Sequence, residues 1–342
     1  MIPCVELAPG YSISRLIKGG WHLAGGHGAV DPAAACRDMA DFVEAGVTTF
    51  DCADIYTGVE ELIGRFRREY PQQARRLRVH TKFVPDLDLL ATVDGAYVES
   101  IIDRSRARLG LDCLDLVQFH WWDYTVPRYV DIALELERLR RAGKIAHIGV
   151  TNFGTPALRE MLDAGVPVLA HQLQYSLLDD RPSGAMSSLC GARGVGLLCY
   201  GTVAGGFLSD RWLGQPSPEG ALANRSLTKY RLIIEEFGGW ELFQELLAAL
   251  RGVADRHGCD IATVATGAML DTPGVAAAIV GATNTAHLAA HAAIGTLRLD
   301  AADRQSIAAV TARRRGPPGD VYTLERDREG AHGRIMKYTL NR

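Results

Sequence analysis

The chain has 342 residues, of which 47% are hydrophobic, and a formal net charge of −3. That length fits one α/β barrel with added loops, the apolar fraction can fill a large core, and the near-neutral balance gives no reason to expect nucleic acid or an acidic membrane as partner. No apolar run reaches transmembrane length, residues 1–10 lack the pattern of a signal peptide, and the seven cysteines are scattered with no Cys-x-x-Cys pair, so reduced thiols in the cytoplasm are expected.

In chain order, residues 15–19 read as a first strand. Asp31 and Pro32 then open a helix as N-cap and first residue, and Gly46 closes it. Strands are expected at 48–51 and 78–82. A helix opened by Asp94 runs to Leu109 and stops at Gly110. A strand at 115–120 precedes a strongly periodic helix over 129–142, which ends at Gly143. The strand at 146–151 is followed by a helix whose start is marked by Thr155 and Pro156. Strands at 168–174 and 196–201 come next. Residues 210–239, rich in Gly and Pro, read as a long irregular insertion, followed by a helix from Trp240 to about His257. The last strand covers 276–281, and residues 316–342 form a polar tail. Long irregular stretches of this kind usually serve as substrate loops or lids.

The eight strands are nearly continuous apolar runs, the mark of parallel strands covered on both faces. Their alternation with helices leaves two architectures, a (β/α)8 TIM barrel or a doubly wound sheet. The glycines Gly19-Gly20 and Gly25-Gly26-x-Gly28 are not followed directly by a helix, as a dinucleotide-binding glycine loop requires. The barrel is therefore expected, as one domain over 1–342, with a long insertion after strand 7 and a C-terminal tail.

Barrel active sites form at the C-terminal ends of strands. Asp51 ends the second strand with Tyr56 just beyond it, Lys82 ends the third and His120 the fourth. Taken singly, each has an ordinary explanation: a turn cap, a packing ring, a solvated lysine, a core histidine. Together they form a chemical set. A free phenol has a pKa of about 10, too high for efficient proton exchange near neutrality. A cationic Lys82 would lower it, and Asp51 would hold that lysine charged. His120 would add a hydrogen bond to a carbonyl oxygen as negative charge develops there. The set suits reduction of a carbonyl, with Tyr56 giving the proton.

At this point the residues resemble a known family. The segments Phe50-Asp51-Cys52-Ala53-Asp54-Ile55-Tyr56, with Glu60-Glu61-Leu62-Ile63-Gly64 after it, and His80-Thr81-Lys82-Phe83 are similar to aldo-keto reductase signatures. So are Asp115-Leu116-Val117-Gln118-Phe119-His120-Trp121, Ile148-Gly149-Val150-Thr151-Asn152-Phe153 and Gln172-Leu173-Gln174-Tyr175-Ser176. The resemblance runs from about Ile13 to Asp300. It implies a (β/α)8 barrel that binds NADPH, or less often NADH, and a catalytic tetrad of Asp51, Tyr56, Lys82 and His120.

The same resemblance implies that Thr151, Asn152 and Gln172 hold the nicotinamide carboxamide and that Tyr200 stacks on the ring. Gly20 and Trp21 are further expected cofactor contacts. Gly201, Thr202, Val203 and Gly205 would offer the pyrophosphate backbone amides, glycine allowing close approach. At the adenosine end it implies Arg211, Gly281, Thr283, His287 and His291. A 2′-phosphate prefers fixed cations, above all arginine, and two histidines with one arginine make a weak clamp. NADPH is favoured, with NADH as the alternative. Trp21, Trp121 and Trp122 are expected to wall a pocket for a small carbonyl substrate. No metal ligand pair is present in the sequence. The competing readings are a cofactor-binding sensor or regulatory subunit with little turnover, a lyase using Lys82 as a Schiff base, and a metal-dependent hydrolase.

Overall fold

A computed structural model describes residues 2–24, 28–282 and 284–341. The chain opens with an antiparallel hairpin that the sequence reading did not anticipate, β1 (Cys4–Ala8) and β2 (Tyr11–Ser14), turned at Gly10 with φ 76°. Its Tyr11 and Ile13 pack against Leu116, Ala170, Leu198 and Ala277 in one buried cluster. Each of those four residues lies on a barrel strand, so the hairpin plugs the end of the barrel where the strands begin.

The barrel strands are β3 (Leu16–Gly19), β4 (Thr49–Asp51), β5 (Arg78–Phe83), β6 (Leu114–Phe119), β7 (Ile145–Thr151), β8 (Val168–Gln174), β9 (Gly196–Tyr200) and β10 (Val275–Gly281). They pair in parallel in that order, and β10 closes on β3. The expected eight-stranded barrel is thus observed, with strand ends displaced by a residue at most. Register brings the functional ends level: Gly19 lies opposite Asp51, Lys82 opposite Gln118, and Thr151 opposite Gln172.

Helices start and stop where short polar residues and glycine dictate. Asp31 accepts from the Ala33 N–H at the start of Pro32–Glu44, and Asp94 accepts from the Tyr97 N–H at the start of Gly95–Leu109, which ends on left-handed Gly110. The insertion is not irregular throughout. Asn224 caps a helix over Arg225–Phe237, whose Tyr230, Ile233, Ile234 and Phe237 are buried. This face joins the helices Trp240–His257 and Ile261–Leu270 in a second apolar core outside the barrel. The Gly- and Pro-rich segment before Asn224 masked that periodicity, and the helix Ile261–Leu270 was likewise not anticipated.

The tail folds back over the mouth of the barrel. Asp320 accepts from the Thr155 N–H (2.5 Å) and hydroxyl (2.9 Å). Glu325 pairs with Arg181, itself paired with Asp179, all three side chains at 2% exposure or less. Arg326 donates to the carbonyls of Asn152 (2.7 Å) and Trp121 (3.2 Å). Near the end, the N–H groups of Leu340 and Asn341 reach Asp86 Oδ1. Among the described residues, no helix is long and apolar enough to cross a membrane.

Candidate active site

The mouth of the barrel opens into a cavity of about 720 Å³, within the range of small-molecule and cofactor sites. Asp51, Tyr56, Lys82 and His120 all line it, so the structure gathers the four residues that the strand ends suggested. Lys82 Nζ lies 2.7 Å from Asp51 Oδ2 and donates to the Cys52 carbonyl at 2.8 Å. It stands 4.9 Å from the centre of the Tyr56 ring. Asp51 Oδ1 accepts from the side-chain amides of Gln118 (2.9 Å) and Gln172 (2.6 Å). The carboxylate thus has a donor on each oxygen, as a buried charge requires. Gln118 lies on β6, directly opposite Lys82 in register. It sits in a motif quoted above, but its neutral amide gave no sign of a role on Asp51.

Burial works against the Lys82 charge, but Asp51 and Tyr56 outweigh it and hold this lysine above its ordinary value. A lysine held so firmly as an ammonium, with donors committed to Asp51 and Cys52, is not a Schiff-base nucleophile, which must be neutral. Tyr56 differs from expectation. Burial pushes its pKa up, and Lys82 only opposes that rise. Its phenol is therefore protonated at neutral pH, the state a proton donor must hold.

His120 Nδ1 lies 3.0 Å from the Thr151 carbonyl oxygen. A carbonyl only accepts, so Nδ1 carries the hydrogen. Burial first, then Arg326, pushes the ring's pKa down to about 3. In a neutral ring protonated at Nδ1, Nε2 is an acceptor.

Around the tetrad, the Tyr200 hydroxyl donates to Asn152 Oδ1 at 2.8 Å, leaving the Asn152 amide N–H groups for a ligand. Asn152 holds a left-handed backbone, φ 61°, and its carbonyl is the one that Arg326 clasps. Strain of this kind at a cavity wall persists only where surrounding contacts fix it. The Gln172 Nε2 is spent on Asp51 and Gln118, so its free acceptor is Oε1. Thr151 lines the cavity beside them.

Along the next wall, Val203, Gly205, Arg211 and Gly281 line the cavity as expected. Gly201 also does, yet a Cβ there would meet the Tyr230 hydroxyl at 2.5 Å, and one at Gly205 would meet the same ring at 2.8 Å. These two glycines make room for the insertion helix. Three expectations are corrected. Thr202 is buried, with its hydroxyl 3.3 Å from that of Thr266, and it does not line the cavity. Gly20 is turned into β4, where its N–H donates to the Asp51 carbonyl and a Cβ would clash with that oxygen at 2.7 Å. Trp121 is fully buried against Phe119, its indole N–H donating to the carbonyls of Asp123 and Val126. It is a core residue, whereas Trp21 and Trp122 do line the cavity.

Trp21 meets the Tyr56 ring edge-on at 5.1 Å, and Trp122 meets His120 at 4.3 Å. His287 and His291 line the far end with Asp260 and Thr263. Burial, then His287, pushes His291 down to about 4, so it is neutral near pH 7. Thr283 lies outside the described residues. Nothing in the local sequence places the tail and insertion residues on this cavity. Tyr322, Ile335, Met336 and Lys337 come from the tail, and Lys229, 4.9 Å from the Tyr200 ring centre, comes from the insertion. Only a folded chain brings them here.

Asp54 stitches the Tyr56 loop to the end of β5 by accepting from the Val84 N–H at 3.1 Å, while its Oδ1 has no partner. Burial and nearby Glu60 push its pKa up to about 8. The folded state then keeps a proton that the unfolded chain releases near pH 4. Stability should therefore be greatest below that pH and fall as pH rises toward about 8, by up to about 1.4 kcal/mol per unit for one proton. Asp54→Asn should flatten this slope. Urea unfolding at several pH values between these limits checks it, and parallel profiles for the two proteins would contradict it.

Comparison with known proteins agrees with this geometry. The aldo/keto reductase family model matches residues 15–312. Flagellar radial spoke protein 5 of Chlamydomonas reinhardtii is 28% identical over 288 residues, 66% of this chain and 54% of that protein, so the match spans about half of that relative's length. Aldo-keto reductase YhdN of Bacillus subtilis (strain 168) is 26% identical over 308 residues, 87% of this chain and 90% of the relative. Among solved structures, the glycerol dehydrogenase AKR11B4 from Gluconobacter oxydans superposes with a TM-score of 0.77 at 20% identity, covering 93% of this chain and 97% of that one, a likeness of fold. With the family pattern spanning the whole barrel, the chain belongs to the aldo/keto reductase family of NAD(P)-dependent oxidoreductases.

Proposed function

We propose that this protein reversibly reduces a small aldehyde or ketone to an alcohol in the cytoplasm, with Tyr56 delivering the proton to the carbonyl oxygen. The carrying observation is the buried chain Asp51–Lys82–Tyr56 at the cavity mouth. A bound reduced nicotinamide supplies the hydride to the carbonyl carbon. Tyr56 then gives its phenolic proton to the oxygen, and the adjacent Lys82 ammonium stabilises the phenolate that remains. Asp51 keeps Lys82 charged and is itself fixed by Gln118 and Gln172.

The residues fit the cofactor. Asn152 offers N–H groups and Gln172 offers Oε1, the complement of a carboxamide's acceptor and donors. Tyr200 presents a ring face beside them, and Val203, Gly205 and Arg211 line the path toward the far end of the cavity. There Arg211 supplies a fixed positive charge, while His291 is neutral and Asp260 is acidic. NADPH is the favoured cofactor, but this clamp is weak, so its advantage over NADH should stay below about tenfold, within 1.4 kcal/mol. Steady-state kcat/KM for both cofactors on a reactive aldehyde such as 4-nitrobenzaldehyde tests both statements. A clear NADH preference overturns the cofactor assignment. Tight dinucleotide binding with no oxidation by any carbonyl overturns the reductase reading in favour of a sensor.

A further inference from the structure

We propose that Arg326, on the C-terminal tail, is a positioning residue for the dinucleotide. It fixes the left-handed turn at Asn152 so that the Asn152 amide meets the nicotinamide carboxamide, which makes the seated tail part of the cofactor site. This rests on the carbonyl-reductase reading, in which Asn152 holds that carboxamide, and adds to it a residue far along the chain.

The turn after β7 is held group by group. The Asn152 N–H donates to the Gln172 carbonyl at 2.9 Å, the Phe153 N–H to His171 Nε2 at 3.1 Å, and the Gly154 N–H to the Tyr124 hydroxyl at 2.8 Å. Those three partners belong to the barrel and its loops. The remaining two holds come from the tail. The Asn152 carbonyl accepts from Arg326 Nη2 at 2.7 Å, and the Thr155 N–H and hydroxyl donate to Asp320. The tail thus grips the turn at both ends.

Asn152 needs such a hold. Its φ of 61° costs free energy for any residue but glycine, although asparagine tolerates it better than most. A hydrogen bond from a charged donor is the strong kind. Arg326 is itself fixed: its Nη2 also donates to the Trp121 carbonyl at 3.2 Å, and its guanidinium lies 4.3 Å from the Tyr124 ring centre and 5.2 Å from that of Tyr322. One nitrogen therefore ties the chain after β6 to the chain after β7. The Tyr200 hydroxyl, donating to Asn152 Oδ1 at 2.8 Å, sets which end of the amide is left for a ligand. With its backbone held by Arg326 and its side chain by Tyr200, the amide has a fixed origin and a fixed direction, as recognition of a planar carboxamide requires. By linkage, a tail that favours the binding geometry is itself favoured by the bound cofactor.

The test separates the nicotinamide end of the cofactor from the rest. Calorimetric Kd values are compared for NADPH and for 2′-phospho-ADP-ribose, which lacks only the nicotinamide. Arg326→Met is expected to weaken NADPH by at least about fivefold while 2′-phospho-ADP-ribose stays within about twofold. Arg326→Lys keeps a charged donor and is expected to recover part of the loss. Asn152→Ala is expected to lose NADPH selectively as well, and the double variant to match it within about twofold, because both changes act through one amide. Equal loss of the two ligands in Arg326→Met, the mark of a merely structural role, would overturn the proposal, and so would no loss or additive losses. Selective loss in Asn152→Ala alone would overturn the role of Arg326 and leave Asn152 as the carboxamide ligand, whereas no selective loss in Asn152→Ala would overturn both. Hydrogen exchange of the wild-type protein needs no variant to fold. NADPH is expected to slow exchange across residues 320–327 at least about fivefold more than 2′-phospho-ADP-ribose does, and equal slowing by the two ligands would overturn the link between tail and turn.

Discussion

Lys82→Met is expected to abolish turnover and to destabilise the fold in the same step. The lysine and Asp51 are each 5% exposed and 2.7 Å apart. Removing one partner of such a pair leaves an uncompensated charge in a low-dielectric interior, which typically costs about 3–5 kcal/mol. Here Asp51 keeps its two glutamine donors, and the Cys52 carbonyl loses its only described side-chain donor. The loss should therefore fall near the lower end of that range. Activity should fall further than stability alone explains, because the Tyr56 phenolate would form without a neighbouring cation. Urea unfolding together with turnover of the folded fraction checks this. A variant of wild-type stability would contradict the ion pair, and one of wild-type turnover would contradict the proton relay.

Tyr56→Phe should separate the two effects. The phenyl ring keeps the edge contact with Trp21 at 5.1 Å and the place beside Lys82, so stability and dinucleotide affinity should change little. Only the proton is gone. General acids of this kind contribute about 10²–10⁴-fold, and kcat should fall by that amount, with the cofactor Kd within about twofold because a lost proton donor acts on the transition state alone. Since burial raises the Tyr56 pKa, the wild-type donor stays protonated through neutral pH. Reduction should lose activity only on the alkaline side, where the phenol ionises. Wild-type kcat in Tyr56→Phe would remove this residue from the chemistry.

The barrel was legible because a buried parallel strand is written as a local apolar run, and its end positions Asp51, Lys82 and His120 without reference to anything distant. The tetrad followed from that one rule about strand ends. What was not legible depends on contacts far apart in the chain. Tyr322 reaches His120 from 202 positions away only because Asp320, Glu325 and Arg326 clamp the tail to Thr155, Arg181 and Asn152. The insertion helix was hidden by the loop before it, and its Tyr230 gave Gly201 and Gly205 a packing reason where phosphate approach had been expected. Trp121 and Trp122 are neighbours in sequence and opposite in fate, one turned into the core and one onto the cavity, in the irregular segment that follows β6. The His120 tautomer is likewise set by Thr151 on the next strand, a partner that residue type alone does not reveal.

In the proposed reaction, hydride reaches a carbonyl carbon at the Tyr56 mouth. Reduction of 4-nitrobenzaldehyde with NADPH stereospecifically deuterated at nicotinamide C4 tests it most directly, with the product alcohol read by mass spectrometry. Deuterium should appear on the carbinol carbon with one C4 epimer of the labelled cofactor and not with the other, and the transfer should be lost in step with kcat in Tyr56→Phe. Product alcohol free of deuterium with both epimers would contradict the account.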